Sequence, residues 1–556
     1  MGGDPFKACR HYCQSKDPVI SQAQRMAILI EELSRLGIRK YCTAPGSRNT
    51  PFILAGIAHP ELSFSVFHDE RSMAFFALGL ARRRVHGVPL VVTTSGTAVA
   101  NLLPAVIEAK ADGVPMIVLS ADRPSVECGK GANQTIDQTD IFGVYARTYT
   151  IDDTLDAEEL LDLISTIAIS LERELGPIHI NLPLKKPLLE VARLGDLDCG
   201  AQILEWRQST KSWKPKVENN KLGAPALADD FDTILVGANL PRTRTAIQAF
   251  LKDFSGDTFF DIQSGSWHCG TRPLSAEVFG DSHSERNAQK RLLIIGHRFT
   301  EHRIWDWVSS FQYVEQWKGL KGVFNPNDSI SESIDIGWPV KEGLVKIGTN
   351  FENTCSIDSP LSYAKIVSLV GKKVVDYESI YLANSLCVRA FDRFRPLGAF
   401  SVGAPLYFNR GASGIDGTLA TGLGTAMGGK SSLIVCGDHA FLYDLSILAD
   451  VGKLAIQATV IVVDNAGGRI FEHLPIAEND ALDDYFVASS GVDLMKVISA
   501  FGLPVFETDS SQVLEEYLNE DFSGLRFIVA KVDPAFDFKA FNRPRPERDS
   551  TEEGVS

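Results

Sequence analysis

The chain has 556 residues, 44% of them hydrophobic and 22% charged, and its 55 Lys and Arg against 70 Asp and Glu leave a net charge of −15. That length exceeds what one hydrophobic core serves and implies several domains, while the negative balance argues against nucleic acid or an anionic membrane as the main partner. No stretch approaches about 18 consecutive apolar residues. The start, MGGDPFKACRHYCQSKDP, carries charges where a signal peptide needs an apolar run, and the nine cysteines are scattered without zinc spacing, so a cytoplasmic protein with free thiols is expected.

In chain order, the first predicted element is a helix over residues 21 to about 36. Ser21 and Gln24 match a capping box, and Met26, Leu29, Ile30, Leu33 and Leu36 recur at helical spacing. Short apolar runs follow at 38–43, 62–67, 89–94, 114–120 and 178–182, each leading into a polar turn or a helical stretch. Strands alternating with helices imply a parallel sheet covered on both faces. From 185 to 230 the text is polar and broken, as an interdomain linker would be. Further runs lie at 233–236 and 292–295, and from about Gly371 a third block carries runs at 432–436, 459–463 and 527–532. The predicted organisation is a leader at 1–20, three α/β domains at 21–195, 196–370 and 371–541, and a disordered tail at 542–556. Each domain is expected to hold a mainly parallel sheet flanked by helices.

The stretch LIVCGDHAFLYDLSILADVGKLAIQATVIVVDNAGGRIFEHL, from Leu433, holds two apolar strands ending in Gly437-Asp438 and in Asp464-Asn465-Ala466-Gly467-Gly468. In a parallel sheet these clusters emerge at the carboxyl edge, where open α/β folds bind ligands. Mg²⁺ prefers a near-octahedral oxygen shell with few protein donors. The Asp438 carboxylate, the Asn465 side-chain oxygen and the Gly467 carbonyl would supply three, leaving room for diphosphate oxygens and water. Taken alone, both clusters are also what strand-ending turns look like. A second loop, Asn409-Arg410-Gly-Ala-Ser-Gly-Ile415-Asp416-Gly, places a bulky Ile415 among glycines and opens a small-residue helix whose backbone N–H groups would face a ligand.

The spacing from Gly437-Asp438 to Asn465 resembles the motif of thiamine-diphosphate-dependent enzymes, with His439 and Asp464 as departures. Five further segments, Ala44-Pro45-Gly46-Ser47-Arg48, His68-Asp69-Glu70-Arg71, Thr94-Ser95-Gly96-Thr97, Ser120-Ala121-Asp122-Arg123 and Asn133-Gln134-Thr135, resemble the MenD branch of that family. Asn384-Ser385-Leu386-Cys387-Val388-Arg389 extends the likeness, which covers residues 21 to 532 and is weakest in the middle.

The resemblance implies a thiamine-diphosphate-binding fold, with Mg²⁺ (Mn²⁺ as a substitute ion) as cofactor metal. It implies decarboxylation of 2-oxoglutarate and 1,4-addition of the succinyl carbanion equivalent to isochorismate. Glu70 would be the catalytic carboxyl group that hydrogen-bonds the aminopyrimidine of the coenzyme, although as a sequence feature it is equally an acidic residue in a helix's first turn. Ser385, Ile415, Gly437, Asp438, Asn465 and Ile470 would contact the coenzyme, with Ile415 as the apolar prop that bends it. Ser385, Arg389 and Arg410 would face the 2-oxoglutarate-derived unit; Ser47, Arg48, Arg123, Asn133, Gln134 and Arg303 would hold isochorismate; Phe471 and Leu474 would form apolar walls. Arginines suit such anionic small-molecule substrates because they clamp carboxylates bidentately and stay charged. His302 stands where the family commonly has Lys, which leaves its part in anion binding open. The resemblance also implies a homo-oligomer with Glu70 and the metal site meeting across a dimer interface. Two alternatives remain at this stage: an acetolactate-synthase-like carboligase or decarboxylase, and a non-catalytic descendant.

Overall fold

The computed structural model describes residues 20–83, 87–174, 176–196, 201–213, 231–238, 247, 250–251, 254, 256–264, 272–273, 287–296, 298–300, 304–318, 332–335, 360–394 and 404–542. Cys9, Cys13, His302, Arg303 and the tail from 543 onward lie outside them.

The helix Gln22–Arg35 begins as its sequence dictates. Ser21 Oγ accepts the Gln24 N–H at 3.2 Å and Gln24 Oε1 accepts the Ser21 N–H at 2.9 Å, a complete capping box. Three six-stranded sheets follow, and every ladder between their strands is parallel. The first comprises β1 (Lys40–Thr43), β2 (Ser63–Val66), β3 (Leu90–Thr93), β4 (Met116–Asp122), β5 (Arg147–Thr150) and β6 (Pro177–Pro183), in the order β2-β1-β3-β4-β6-β5. The second holds β7 (Thr233–Val236), β8 (Asp257–Phe260), β9 (Arg272–Pro273), β10 (Arg291–Ile295), β11 (Tyr313–Lys318) and β12 (Glu332–Asp335), ordered β12-β11-β10-β7-β8-β9. The third holds β13 (Ser379–Leu382), β14 (Leu406–Tyr407), β15 (Ser432–Gly437), β16 (Ala458–Asp464), β17 (Val505–Thr508) and β18 (Leu525–Lys531), ordered β14-β13-β15-β16-β18-β17. The first and third sheets share one strand order, and the second has another.

By contact density the chain forms two compact units. One comprises Met1–Val66, Val85–Val106 and Pro115–Glu218 and contains the first sheet. Its core gathers Leu90, Val92, Ile117, Leu119, Ile178 and Ile180 with the apolar side of the first helix, Met26, Leu29 and Leu33. The other comprises Phe67–Arg84, Ile107–Val114 and Asn219–Ser556. In its second sheet, alternate residues enter different cores: Leu235, Leu292 and Ile294 join one cluster, while Ile234, Val236, Leu293 and Ile295 join another. That is the two-sided burial a covered parallel sheet requires.

Within this second unit the helix Glu70–Arg83 crosses the helix Thr418–Ala426 at two glycines. A Cβ on Gly79 would lie 2.1 Å from the Thr421 carbonyl oxygen, and one on Gly424 would lie 2.1 Å from that of Phe76. No helix of the described residues is long and apolar enough to cross a membrane. Cys42, Cys128, Cys387 and Cys436 are free thiols.

Candidate active site

In the third sheet the chain runs from β13 outward to β14, then crosses back to β15 and proceeds to β16 and beyond. Loops leaving β13 and β15 therefore diverge, and the gap between them is where such sheets bind ligands. A cavity of about 460 Å³ opens there, of a size suited to a small ligand. It is lined by Ser385, Arg389, Arg410, Ile415, Gly437, Asp438, Asn465, Gly467, Ile470, Phe471 and Leu474, so the structure brings together eleven of the sequence-selected residues from four separate segments.

Asp438 follows β15 directly and is 6% exposed. Its Oδ1 accepts the His439 N–H and its Oδ2 accepts the Gly467 N–H, both at 2.7 Å. Burial pushes its carboxyl pKa up, and these two backbone N–H groups oppose the shift. The bond to Gly467 ties the end of β15 to the loop after β16, where Asn465 is also buried. Gly467 has φ +121°, and a Cβ there would sit 2.3 Å from the Val487 carbonyl oxygen, so only glycine allows this loop its course. Its own carbonyl accepts the Arg469 N–H at 2.8 Å and keeps a second lone pair. Among the described residues no group of three or more His, Cys, Asp or Glu could hold a metal. The donor set here is instead one carboxylate, one amide oxygen and one carbonyl, all hard oxygens, which fits Mg²⁺ or Mn²⁺.

Three arginines border the same cavity, and one of them, Arg469, is paired with Glu472 at 2.6 Å. Arg389, on the helix Leu386–Phe394, donates to the Ser385 carbonyl at 3.0 Å, and Arg410 donates to Asn384 Oδ1 at 3.3 Å. Burial and then the neighbouring Arg389 lower the Arg410 pKa, and the charges of Asp261 and Glu108 oppose the shift. Ile415 is 42% exposed although bulky and apolar. The small-residue helix after it corrects one expectation. Its first N–H groups are not offered to a ligand: Gly417 and Leu419 each donate to Asp444 at 2.8 Å, and burial raises that carboxyl to a pKa of about 6.

Glu70 opens its helix half-buried and is not among the residues lining the cavity. The preceding Asp69 takes the Arg71 N–H at 2.9 Å, and the turn is pinned by His68 Nδ1 against Asp450 at 2.5 Å and by Ser72 against Ser446 at 2.8 Å. Arg303 lies outside the described residues, and the other sequence-selected residues belong to the first unit. Arg48 is buried and donates to the Leu184 carbonyl at 2.7 Å, with Ser47 exposed beside it. Arg123 lines a cavity of about 780 Å³ and donates to the Asn133 carbonyl at 2.7 Å. Gln134, at φ +59°, donates to the Ser95 carbonyl at 3.0 Å. Sequence reasoning missed Tyr363, Ser413, Thr418 and Arg469 in the first cavity, since none stands out from its neighbours by type or spacing.

Residues 25–141 match the family model described as "Thiamine pyrophosphate enzyme, N-terminal TPP binding domain", and residues 399–532 match "Thiamine pyrophosphate enzyme, C-terminal TPP binding domain". The chain is 32% identical over 523 residues to the 2-succinyl-5-enolpyruvyl-6-hydroxy-3-cyclohexene-1-carboxylate synthase of Pelodictyon phaeoclathratiforme, covering 86% of this chain and 87% of that protein. The enzyme of the same name from Shewanella halifaxensis is 31% identical, covering 88% and 91%. In fold, the chain is similar to a thiamine diphosphate-dependent 4-hydroxybenzoylformate decarboxylase of Rhodococcus jostii RHA1, with a TM-score of 0.67, 13% identity, and coverage of 92% of this chain and 99% of that one. Identity at this level over nearly the whole length settles the matter: the chain belongs to the 2-succinyl-5-enolpyruvyl-6-hydroxy-3-cyclohexene-1-carboxylate synthase family of thiamine-diphosphate-dependent enzymes.

Proposed function

We infer that this chain is a thiamine-diphosphate-dependent transferase that decarboxylates 2-oxoglutarate and joins the resulting succinyl unit to isochorismate by 1,4-addition, with loss of CO₂, in menaquinone biosynthesis. The observation that carries the site assignment is the single cavity that joins the Asp438, Asn465 and Gly467 oxygens to Arg389, Arg410 and Ile415. The bound coenzyme supplies the electron sink for decarboxylation.

The chain's own residues do the rest in this reading. Asp438, Asn465 and the Gly467 carbonyl hold the divalent ion, and Gly437, Ser385 and Ile470 border the coenzyme. Ile415 would be the apolar prop against the coenzyme, while Phe471 and Leu474 would exclude water. Arg389 and Arg410 take the carboxylates of the 2-oxo acid, since fork-shaped guanidinium groups bind carboxylates in paired hydrogen bonds. Ser47, Arg48, Arg123, Asn133, Gln134 and Arg303 hold isochorismate. The Glu70 carboxyl would hydrogen-bond the pyrimidine ring nitrogen and so share a proton with it, which lets the coenzyme's own amino group act as the base. We further propose a cytoplasmic homo-oligomer in which Glu70 serves the partner subunit's metal site. The three sheets would mark three domains, divided after residue 195 and, because the helix Tyr363–Lys373 runs through residue 371, ahead of Ser362.

Purified protein given isochorismate, 2-oxoglutarate, thiamine diphosphate and Mg²⁺ should yield a succinyl adduct by mass spectrometry. Turnover of pyruvate in preference to 2-oxoglutarate would replace this reading with an acetolactate-synthase-like one. A fully active monomer on sizing would remove the shared site.

A further inference from the structure

One carboxylate that no sequence motif marks lies behind the cavity wall. Glu108, on the helix Leu103–Ala111, is 2% exposed and collects four donors. They are the consecutive backbone N–H groups of Gly411 (2.8 Å), Ala412 (2.6 Å) and Ser413 (3.2 Å), and Arg82 Nη2 (2.9 Å). Those three N–H groups belong to the loop that begins with Arg410 and ends at Ile415. The same loop is held from its other side. Arg298 donates to the Arg410 carbonyl and to Asp112, and Asp112 accepts Arg82 at 2.6 Å, which closes a ring of charges around the loop's start. Gly411 is packed so closely that a Cβ would sit 2.8 Å from the Glu108 carbonyl oxygen and 2.9 Å from the Ala111 Cβ.

A run of converging N–H groups in a glycine-rich loop is a ready anion site. Here a built-in carboxylate occupies it, so the loop turns its backbone donors inward and its Arg410 and Ile415 toward the cavity. N–H groups turned against a buried carboxylate are shielded from water on that side, so removing their acceptor is costly. We propose that Glu108 is a positioning residue: by filling the N–H pocket of residues 411–413 it fixes Arg410 in the cavity and thereby sets recognition of the carboxylate-bearing 2-oxo acid. The role assigned to Arg410 rests on the functional reading above.

The test uses the holoenzyme with thiamine diphosphate and Mg²⁺. Glu108→Gln keeps the shape but turns an NH₂ donor toward backbone donors. It should raise KM for 2-oxoglutarate on the order of 10- to 100-fold, the scale set by small misplacements of a binding group, with KM for isochorismate changed far less. Combined with Arg410→Ala it should add nothing to the loss from Arg410→Ala alone. Additive losses, or equal effects on both substrates, would overturn the proposal. Should Glu108→Gln fail to fold, Arg298→Met releases the loop's other tether and should show the same 2-oxoglutarate-selective effect in smaller measure. Amide hydrogen exchange separates this from the activity itself: Gly411, Ala412 and Ser413 should exchange faster in Glu108→Gln whatever the substrate proves to be, and unchanged protection there sinks the tether even if the wild-type enzyme turns over 2-oxoglutarate. A wild-type protein inert toward 2-oxoglutarate whose variant does lose protection would instead overturn the functional reading and leave the loop contact standing.

Discussion

The first and third sheets have the same strand order and end their central strands in similar small polar residues, yet they treat the crevice at that edge differently. After β13, β15 and β16 the third sheet leaves a cavity lined by Asp438, Asn465, Arg389 and Arg410. At the carboxyl edge of the first sheet a cavity of about 780 Å³ opens beyond β4, β5 and β6, while beyond β1 and β3 the chain's own residues close in. A Cβ on Gly46 would meet the Thr94 Cβ at 2.3 Å, Ser95 and Gln134 exchange two hydrogen bonds at 2.9 and 3.0 Å, and Gln138 accepts the Gly96 N–H at 3.3 Å while donating to Ala121 and Asn181. One topology thus supplies two edges, and local side chains decide where along each of them a ligand can enter. Fold alone does not assign function, and the contrast shows which residues do.

The sharpest way to break the comparison is to remove the open edge's charge. Asp438→Ala deletes the one carboxylate proposed to hold the metal and leaves the Gly467 N–H without its acceptor. Losing a metal ligand of this kind removes several kcal/mol of charge pairing. Activity should fall on the order of 1,000-fold, and calorimetric binding of thiamine diphosphate with Mg²⁺ should disappear, as it should on treating the wild-type enzyme with EDTA. Retained coenzyme binding in Asp438→Ala would mean that the cavity is not the diphosphate site.

Much of this open edge is legible in the sequence because long apolar runs stop abruptly at polar clusters: β15 and β16 are buried up to the residue before their last, and Gly437, Asp438 and Asn465 stand where each run ends. What cannot be read comes from long-range contact. Glu108 sits between Ile107 and Ala109 as an ordinary helical glutamate, and only the fold reveals that it faces residues 411–413, some 300 positions away. Asp444 likewise gives no sign that it caps the helix Thr418–Ala426 and takes the N–H groups a ligand was expected to use. Among strands, β14 is two residues long and β17 is only partly buried, so neither shows an apolar period.

A gentler perturbation compares one glycine at each edge. Gly46→Ala forces a Cβ into the Thr94 side chain, and overpacking of that kind should cost about 2 kcal/mol of stability. Gly437→Ala places its Cβ 3.8 Å from the Tyr363 hydroxyl, its nearest contact, and should change stability by less than about 0.5 kcal/mol. Its effect should appear in coenzyme affinity instead, because the added methyl group enters the cavity. Urea unfolding midpoints of the two variants, read against thiamine diphosphate titrations, check the pair. Equal destabilisation by both would erase the distinction between the packed turn after β1 and β3 and the open end of β15.

Acid should act with opposite signs on individual buried groups of the two units. In the first, His179 is fully buried between Ser120 Oγ at 2.7 Å and Thr148 Oγ1 at 3.1 Å, and burial depresses its pKa to about 3. It binds a proton less readily folded than unfolded, so its contribution is complete above the unfolded value near 6.5 and is lost as pH falls toward 3. At pH 5.5 the deficit amounts to about 1.4 kcal/mol. In the second unit, burial raises Asp444 to about 6 and Asp537 to about 7. Folded carboxyl groups with raised pKa values bind protons more readily than unfolded ones, so their contribution grows as pH falls from those values toward 3.8. Wild-type unfolding between pH 7 and 5.5 therefore mixes opposing terms, and the informative quantity is a difference. His179→Gln cannot titrate, so its stability relative to wild type should improve by about 1 kcal/mol on moving from pH 7 to 5.5, whatever the substitution costs at neutral pH. A gap between the two proteins that stays constant over that interval would show that His179 is protonated as easily in the folded chain as in the unfolded one, and that its burial between Ser120 and Thr148 does not exclude the proton.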